Sequence, residues 1–278
     1  MSLLNLSLLG DAPLFALFIA MLAVLAVAIS KSGFGGALGA LSAPIMLFAF
    51  SPSAALSILI PIFIAIDIWV VWKWRKEGVR QIIIWMVIWG IFGQLIGWGL
   101  LRLGTIDDSV ILALIGLIAV FTALRYFWEQ FSQTQTAQNL HQQSRLYRRK
   151  IASRASIWCS LSGFTSFVSL TGGIPAQIYL LPLHLPRRLF VATMAWYFLF
   201  INLFKIPFFL DLNLINHASL SVSALMLIFV PIGVSLGRWL NKVISDKLFY
   251  YIAYSCLLLL GCQLLYRYFA MNYVSGGM

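Results

Sequence analysis

Charge is what this sequence has least of. Only 10% of its 278 residues are Asp, Glu, Lys or Arg, and acids are the rarer kind, 8 against 19 basic residues. Soluble domains carry about 25% charged residues, so a chain this poor in charge cannot face water all round. Histidine occurs at three positions, His141, His184 and His217, in separate polar stretches. None has a carboxylate at metal-ligand spacing, so no metal site is expected. The three cysteines, Cys159, Cys256 and Cys262, lie in apolar runs. They show no zinc spacing and no disulfide framework, and read as small packing residues. Nothing resembles a nucleophile with its base, so the chain does not read as an enzyme, and no catalytic residue or cofactor is expected. Met1–Gly10 has no basic residue ahead of the first apolar run, which argues against a cleavable signal.

Apolar length is what the sequence has in abundance. Hydrophobic residues make up 62% of it and its mean hydropathy is +0.94. Several runs approach the ~20 residues that a helix needs to cross a hydrocarbon core of ~30 Å. They are apolar on every face, unlike the short alternating strands of a membrane barrel. An all-α polytopic membrane protein is expected, embedded in a lipid bilayer. The net charge of +11 is gathered at segment ends, in Lys73–Arg80, Arg145–Arg154, Arg187-Arg188 and Arg238–Lys247. Such clusters are the usual cytoplasmic flanks of membrane helices. No basic groove with interleaved aromatics stands out, so nucleic acid is not an expected partner.

In chain order, Pro13–Ile29 is followed by a glycine-rich break, Ser30–Gly36, and a short run, Ala37–Phe50. Ser51-Pro52-Ser53 marks a turn and a helix start. The spans Ala54–Trp74, Val79–Leu101 and Val110–Trp128 complete a first membrane repeat, residues 1–128. Residues 129–150, rich in Gln and Ser and then basic, read as a cytoplasmic linker, helical near Arg145–Lys150. Residues 151–278 repeat the plan, with the run Ile151–Leu170, a second break at Ser169–Pro175 and the short run Ile174–Leu183. The spans Leu189–Leu210, Ala218–Leu240 and Leu248–Tyr268 follow. Gly35-Gly36 corresponds to Gly172-Gly173, Pro52 to Pro186, and Gly97 with Arg102 to Gly233 with Arg238. Placing the basic loops in the cytoplasm puts both termini outside. An odd number of apolar segments per half, five, then gives the halves opposite orientation. The expected architecture is two inverted repeats, each a Gly-broken helical hairpin plus three full transmembrane helices, a plan recurrent in transporters.

The two breaks carry the chemistry. Irregular backbone at membrane depth must be buried in protein or line a cavity. Glycine permits both the sharp turn and close approach of a ligand to the backbone. The helix that restarts after each break offers N–H groups and the positive end of its dipole, which attract anions. Candidate substrate-binding residues are Lys31, Ser32, Gly33, Phe34, Gly35 and Gly36 in the first break, and Thr171, Gly172 and Gly173 in the second. Gln177 and Tyr179 follow the second break, and Asn202 and Lys205 share one face of the span Leu189–Leu210. The bland reading of the glycines is close helix packing. A lysine at depth costs roughly 2.5–3.5 kcal/mol on insertion scales. Lys31 and Lys205 therefore either contact substrate or snorkel to an interface. Asp67, at about the repeat position of Asn202, pairs with a lysine, carries a coupled proton, or only orients the bundle. Gln94 and Thr193 read as packing hydrogen bonds.

Lys31-Ser32-Gly33-Phe34-Gly35-Gly36 followed by Ala43-Pro44 is one recognisable piece. Others are Thr171–Pro182, Ala192-Thr193 through Asn202, Lys205-Ile206-Pro207, and Pro231-Ile232-Gly233 with Gly237. In order and spacing these resemble the sulfite exporter TauE/SafE (TSUP) family, from about Leu17 to Leu265. Ser32 stands where glycine is common in that family. The resemblance implies a bacterial inner-membrane carrier of a small anion, sulfite or an organosulfonate. The expected function is a secondary transporter, an exporter, working by alternating access at a site between the two breaks. An importer of the same anions and a non-transport membrane scaffold or assembly factor are the alternatives, and a homodimer is left open.

Overall fold

The structure, a computed structural model, describes residues 13–36, 42–46, 48–75, 77–103, 144–212 and 215–275, with isolated positions between 116 and 128. Among these residues the regular elements are all helical. They are α1 (Pro13–Phe34), α2 (Ser42–Met46), α3 (Pro52–Lys73), α4 (Arg80–Leu103), α5 (Ser144–Ser169) and α6 (Gly173–Leu180). A 3-10 turn, Leu181–Leu183, leads on to α7 (Arg187–Asp211), α8 (His217–Met226), α9 (Val230–Val243) and α10 (Asp246–Ser275). Six helical stretches among the described residues are long and apolar enough to cross a membrane: Pro13–Phe34, Ala54–Lys73, Arg80–Leu100, Arg187–Asp211, His217–Val243 and Tyr250–Ala270. The expected span 110–128 and the linker up to residue 143 fall almost wholly outside the described residues.

Local chemistry accounts for where these helices start and bend. The Ser51 hydroxyl accepts from the Ala54 amide at 3.4 Å while Pro52 occupies the first turn, where its missing N–H costs nothing. The first break is shorter than the sequence suggests, because α1 runs through Ser30, Lys31, Ser32 and Gly33 to Phe34. The helix tolerates these residues: the Ser32 hydroxyl donates to the Ala28 carbonyl at 2.6 Å, and Lys31 is ion-paired. The expected span Ala218–Leu240 is not one uniform helix. Pro231 lacks the N–H that would bond the Leu227 carbonyl; the Val230 amide takes that carbonyl instead, in a 3-10 turn at Leu227–Phe229. Within the short run after the first break, the described residues include α2, five residues long.

Lipid tails are as apolar as leucine, so membrane helices associate mainly through close packing at small residues. Two crossings use this device. α4 lies along α5 with Gly93 against the Ser160 carbonyl and Gly163 against the Gly90 carbonyl. α9 lies along α1 with Gly233 against Ala28, and Gly237 against the Ile29 carbonyl and the Ser32 hydroxyl. A Cβ at any of these glycines would collide with its neighbour. At the centre α3 packs on α7. Large apolar side chains such as Phe15, Ile88, Phe92, Ile228 and Leu259 remain exposed on the outside, as a lipid environment permits.

Candidate functional site

α1 and α5 end in the same way. The Gly36 amide reaches back to the Ser30 carbonyl at 3.0 Å, and the Thr171 amide to the Thr165 carbonyl at 3.3 Å. Each bond joins residues six positions apart across a left-handed residue, Gly35 (φ 68°) in one case and Leu170 (φ 58°) in the other, one residue wider than the 6→1 bond of a Schellman ending. This geometry pairs Gly35 with Leu170 and Gly36 with Thr171. The expected match of Gly35-Gly36 to Gly172-Gly173, made on residue type, is therefore out of register by two positions. The same separation in sequence that links Gly35 to Leu170 also links Lys31 to Ser166, Phe63 to Phe198 and Asp67 to Asn202.

The two helix ends touch. A Cβ on Gly173 would lie 2.9 Å from the Gly36 carbonyl. Gln177 Nε2 donates to the Phe34 carbonyl at 3.3 Å, and Asn241 Nδ2 to the Gly33 carbonyl at 2.8 Å. These side chains satisfy carbonyls that the end of α1 leaves without an intrahelical partner. On the other side, Tyr197 donates to Ser162 Oγ at 2.8 Å, and Ser162 Oγ to the Gly172 carbonyl at 2.6 Å.

Beside this contact lies a buried chain of charged and polar groups. Lys31 Nζ sits 2.7 and 2.8 Å from the two Asp67 carboxylate oxygens. Asn202 Nδ2 donates to Asp67 Oδ2 at 2.7 Å. Lys205 Nζ donates to the Ser166 carbonyl at 2.7 Å, to Ser166 Oγ at 2.9 Å and to Asn202 Oδ1 at 3.3 Å. Three acceptors match the three donors of an ammonium. Lys31 is 6% exposed, and Asp67 and Lys205 are fully buried. Both lysine side chains end on buried partners within the fold, and of the three readings of Asp67 the structure contains the ion pair. Lys31 Nζ also stands 4.4 Å from the centre of the Phe63 ring and 5.0 Å from that of Phe198, placing the cation on two aromatic faces.

These groups border a small cavity lined by Lys31, Gly36, Phe63, Ser166, Leu170, Gly173, Phe198 and Asn202. Its volume of about 10 Å³ has room for about one water molecule. The pairs Lys31 and Ser166, and Phe63 and Phe198, face it from the two halves of the chain. The model of one family, described as sulfite exporter TauE/SafE, matches residues 20–264. The chain belongs to the TauE/SafE family. It is accordingly a multi-pass membrane protein of a transporter family. No curated protein and no solved structure gives a significant match.

In this TauE/SafE chain the thirteen expected substrate-binding residues divide. Lys31, Gly36, Gly173 and Asn202 line the cavity, and Lys205 is held to it through Ser166 and Asn202. Ser32 and Gly33 instead face α9, where Gly237 leaves room for them. Gly35 turns the chain against Phe190. Phe34, Thr171 and Gly172 contribute backbone groups to the two helix ends, and Gln177 braces one of them. Tyr179 is buried in the core without lining the cavity. The restart at α6 offers fewer amides than expected: Ile174 and Ala176 donate to the Thr171 and Gly172 carbonyls, and Pro175 has no N–H. Gln94 and Thr193 make packing bonds as expected, Gln94 to the Ile201 carbonyl at 2.9 Å and Thr193 from the Val79 amide at 3.0 Å. Sequence reasoning missed Phe63, Phe198, Ser166 and Leu170. The signal was present, since each lies at the constant separation from a partner already suspected or lining the same cavity.

Proposed function

We propose that the protein is a secondary transporter that exports a small sulfur-containing anion, sulfite or an organosulfonate, by alternating access at the cavity between the two helix ends. The observation that carries this reading is the charge balance of the buried chain. Lys31 pairs with Asp67, Lys205 reaches it through Asn202, and no other carboxylate among the described residues joins the chain. One positive charge is left over at a place where solvent does not compensate it. An anion entering the cavity supplies the missing charge, and the Phe63 and Phe198 rings keep water out around it. The family supports the chemical class of substrate. An inside-negative potential favours exit of an anion by ~2.3 kcal/mol per charge per 100 mV.

The cavity as it stands has room for about one water, and sulfite is larger. The arrangement therefore corresponds to an occluded state, and transport requires the halves to part on one side at a time. Several contacts support reading those halves as inverted repeats, residues 1–128 and 151–278. With α8 and α9 counted as one span, the fourth helical segment of each half packs on the first helix of the other, α4 on α5 and α9 on α1. The third helices, α3 and α7, meet at the centre through Asp67 and Asn202. The location in this reading is a bacterial inner membrane, with both termini outside and the basic loops in the cytoplasm.

The test is sulfite efflux from proteoliposomes loaded with the purified protein. Lys31→Ala abolishes flux in a protein that still melts cooperatively, and unchanged flux removes Lys31 from the site. A thermal-shift series with sulfite, thiosulfate, sulfoacetate, sulfate and a neutral control orders the substrates. No shift with any anion argues for the scaffold alternative.

A further inference from the structure

A second cavity, of about 200 Å³, lies between α3 and α9 where both helices end. Its walls include Trp69, Lys73, Ser235, Arg238, Trp239 and Lys242. None of its lining residues is acidic, and Lys31–Asp67 is the ion pair found among the described residues. Three cations therefore share this space without a carboxylate. Two buried donors belong to the same walls, Trp69 Nε1 and Arg238 Nε, and neither has a hydrogen-bond partner among the described residues. Arg238 is steadied over the Trp74 ring at 5.5 Å, and Lys73 over Trp72 at 4.3 Å.

Basic residues in a last helical turn often do no more than complement the dipole. Lys73 and Lys242 hold such positions. Each helix end carries only about half a negative charge, however, so two ends offset roughly one of the three positive charges. Arg238 lies more than a turn inside α9, where the dipole has no call on it. Along α3, Trp69 and Lys73 sit two and six residues beyond Asp67, a rise of about 3 and 9 Å. The second cavity is thus a neighbour of the occluded one, displaced toward the basic loops.

We propose that Lys73, Arg238 and Lys242, with the indole N–H of Trp69, form a second anion site that binds a compact oxyanion group. The group comes either as a free sulfur or phosphorus oxyanion or as the phosphate of an anionic lipid. The site stands on the geometry of α3 and α9 and does not depend on the transport reading. The test uses the full-length protein in a neutral detergent stripped of lipid. One arm titrates sulfite and sulfate by calorimetry. The other measures retention of phosphatidylglycerol against phosphatidylcholine by native mass spectrometry. The R238Q/K242Q variant is expected to lose at least about tenfold in affinity in one arm. Loss in the first arm assigns the site to a free anion, and loss in the second to a lipid phosphate. Losses below tenfold in both arms overturn the proposal. Lys73→Gln, on the other helix, must reproduce the loss, and it decides the matter if the double variant fails to fold. Flux through Lys31→Ala reports on the occluded cavity alone, so the two readings fail separately.

Discussion

Asp67 is where the buried chain is most vulnerable. Among the described residues its carboxylate is the single negative charge between two lysines, 2.7 Å from Lys31 Nζ and one hydrogen-bonded asparagine away from Lys205. At 2.7 Å and an effective dielectric constant of about 20, the Lys31–Asp67 attraction is roughly 6 kcal/mol. Much of it is offset by the cost of taking both ions out of water. What matters for a variant is the charge left behind. Asp67→Asn keeps the shape but leaves two buried ammonium groups with no counter-charge, and breaking a buried pair in this way costs about 3–5 kcal/mol. Lys31→Met leaves Asp67 still accepting from Asn202, with Lys205 close by, so one carboxylate balances one ammonium. Its cost is expected to be smaller, about 1–3 kcal/mol. The assay is unfolding in one detergent for the two single variants and the double K31M/D67N. Asp67→Asn should be the least stable of the three, with the double variant recovering part of its loss. The reasoning is refuted if Lys31→Met is as costly as Asp67→Asn, or if the double variant falls below Asp67→Asn.

Three further outcomes follow from the packing. Gly237→Ala drives a Cβ into the Ile29 carbonyl and the Ser32 hydroxyl, and such overpacking should cost about 1–3 kcal/mol in thermal or denaturant unfolding. Gly99→Ala, in α4 with open space around it, should be neutral or gain up to about 1 kcal/mol from helix propensity. Phe198→Ala removes one wall of the small cavity beside Lys31, and loss of so large a buried ring should cost about 3–5 kcal/mol. In thermal-shift measurements its preference should move from sulfite toward bulkier organosulfonates, and an unchanged order of ligands separates Phe198 from the site.

That the chain forms long apolar helices was legible without the fold. Runs such as Ala54–Trp74 and Leu189–Leu210 leave a chain in lipid no choice but to satisfy its amides within a helix. The location of the breaks was legible for a related reason, since Gly35-Gly36 and Gly172-Gly173 are where an apolar helix is easiest to interrupt. Their register was not. Gly35 and Leu170 share a left-handed backbone although they share no chemistry, and residue type therefore aligned the wrong pairs. The extent of the first break was misjudged because Ser30, Lys31 and Ser32 are polar in isolation. In the fold the Lys31 ammonium and the Ser32 hydroxyl meet partners, and α1 continues through all three residues.

Composition by itself determined that this is a helical membrane protein and that its few charged residues within spans, Lys31, Asp67 and Lys205, carry unusual weight. Each depends on covalent facts alone: the transfer cost of a charge and the obligation of every backbone amide. Only the tertiary structure decided that these three residues belong to one chain of contacts. Lys31 and Asp67 are 36 positions apart, and Asp67 and Asn202 are 135 apart. Such pairings arise from the way α1, α3, α5 and α7 pack, with glycines and serines setting how closely they approach. Pattern within a segment reports which face a residue occupies, and packing between segments decides which charge stands opposite it.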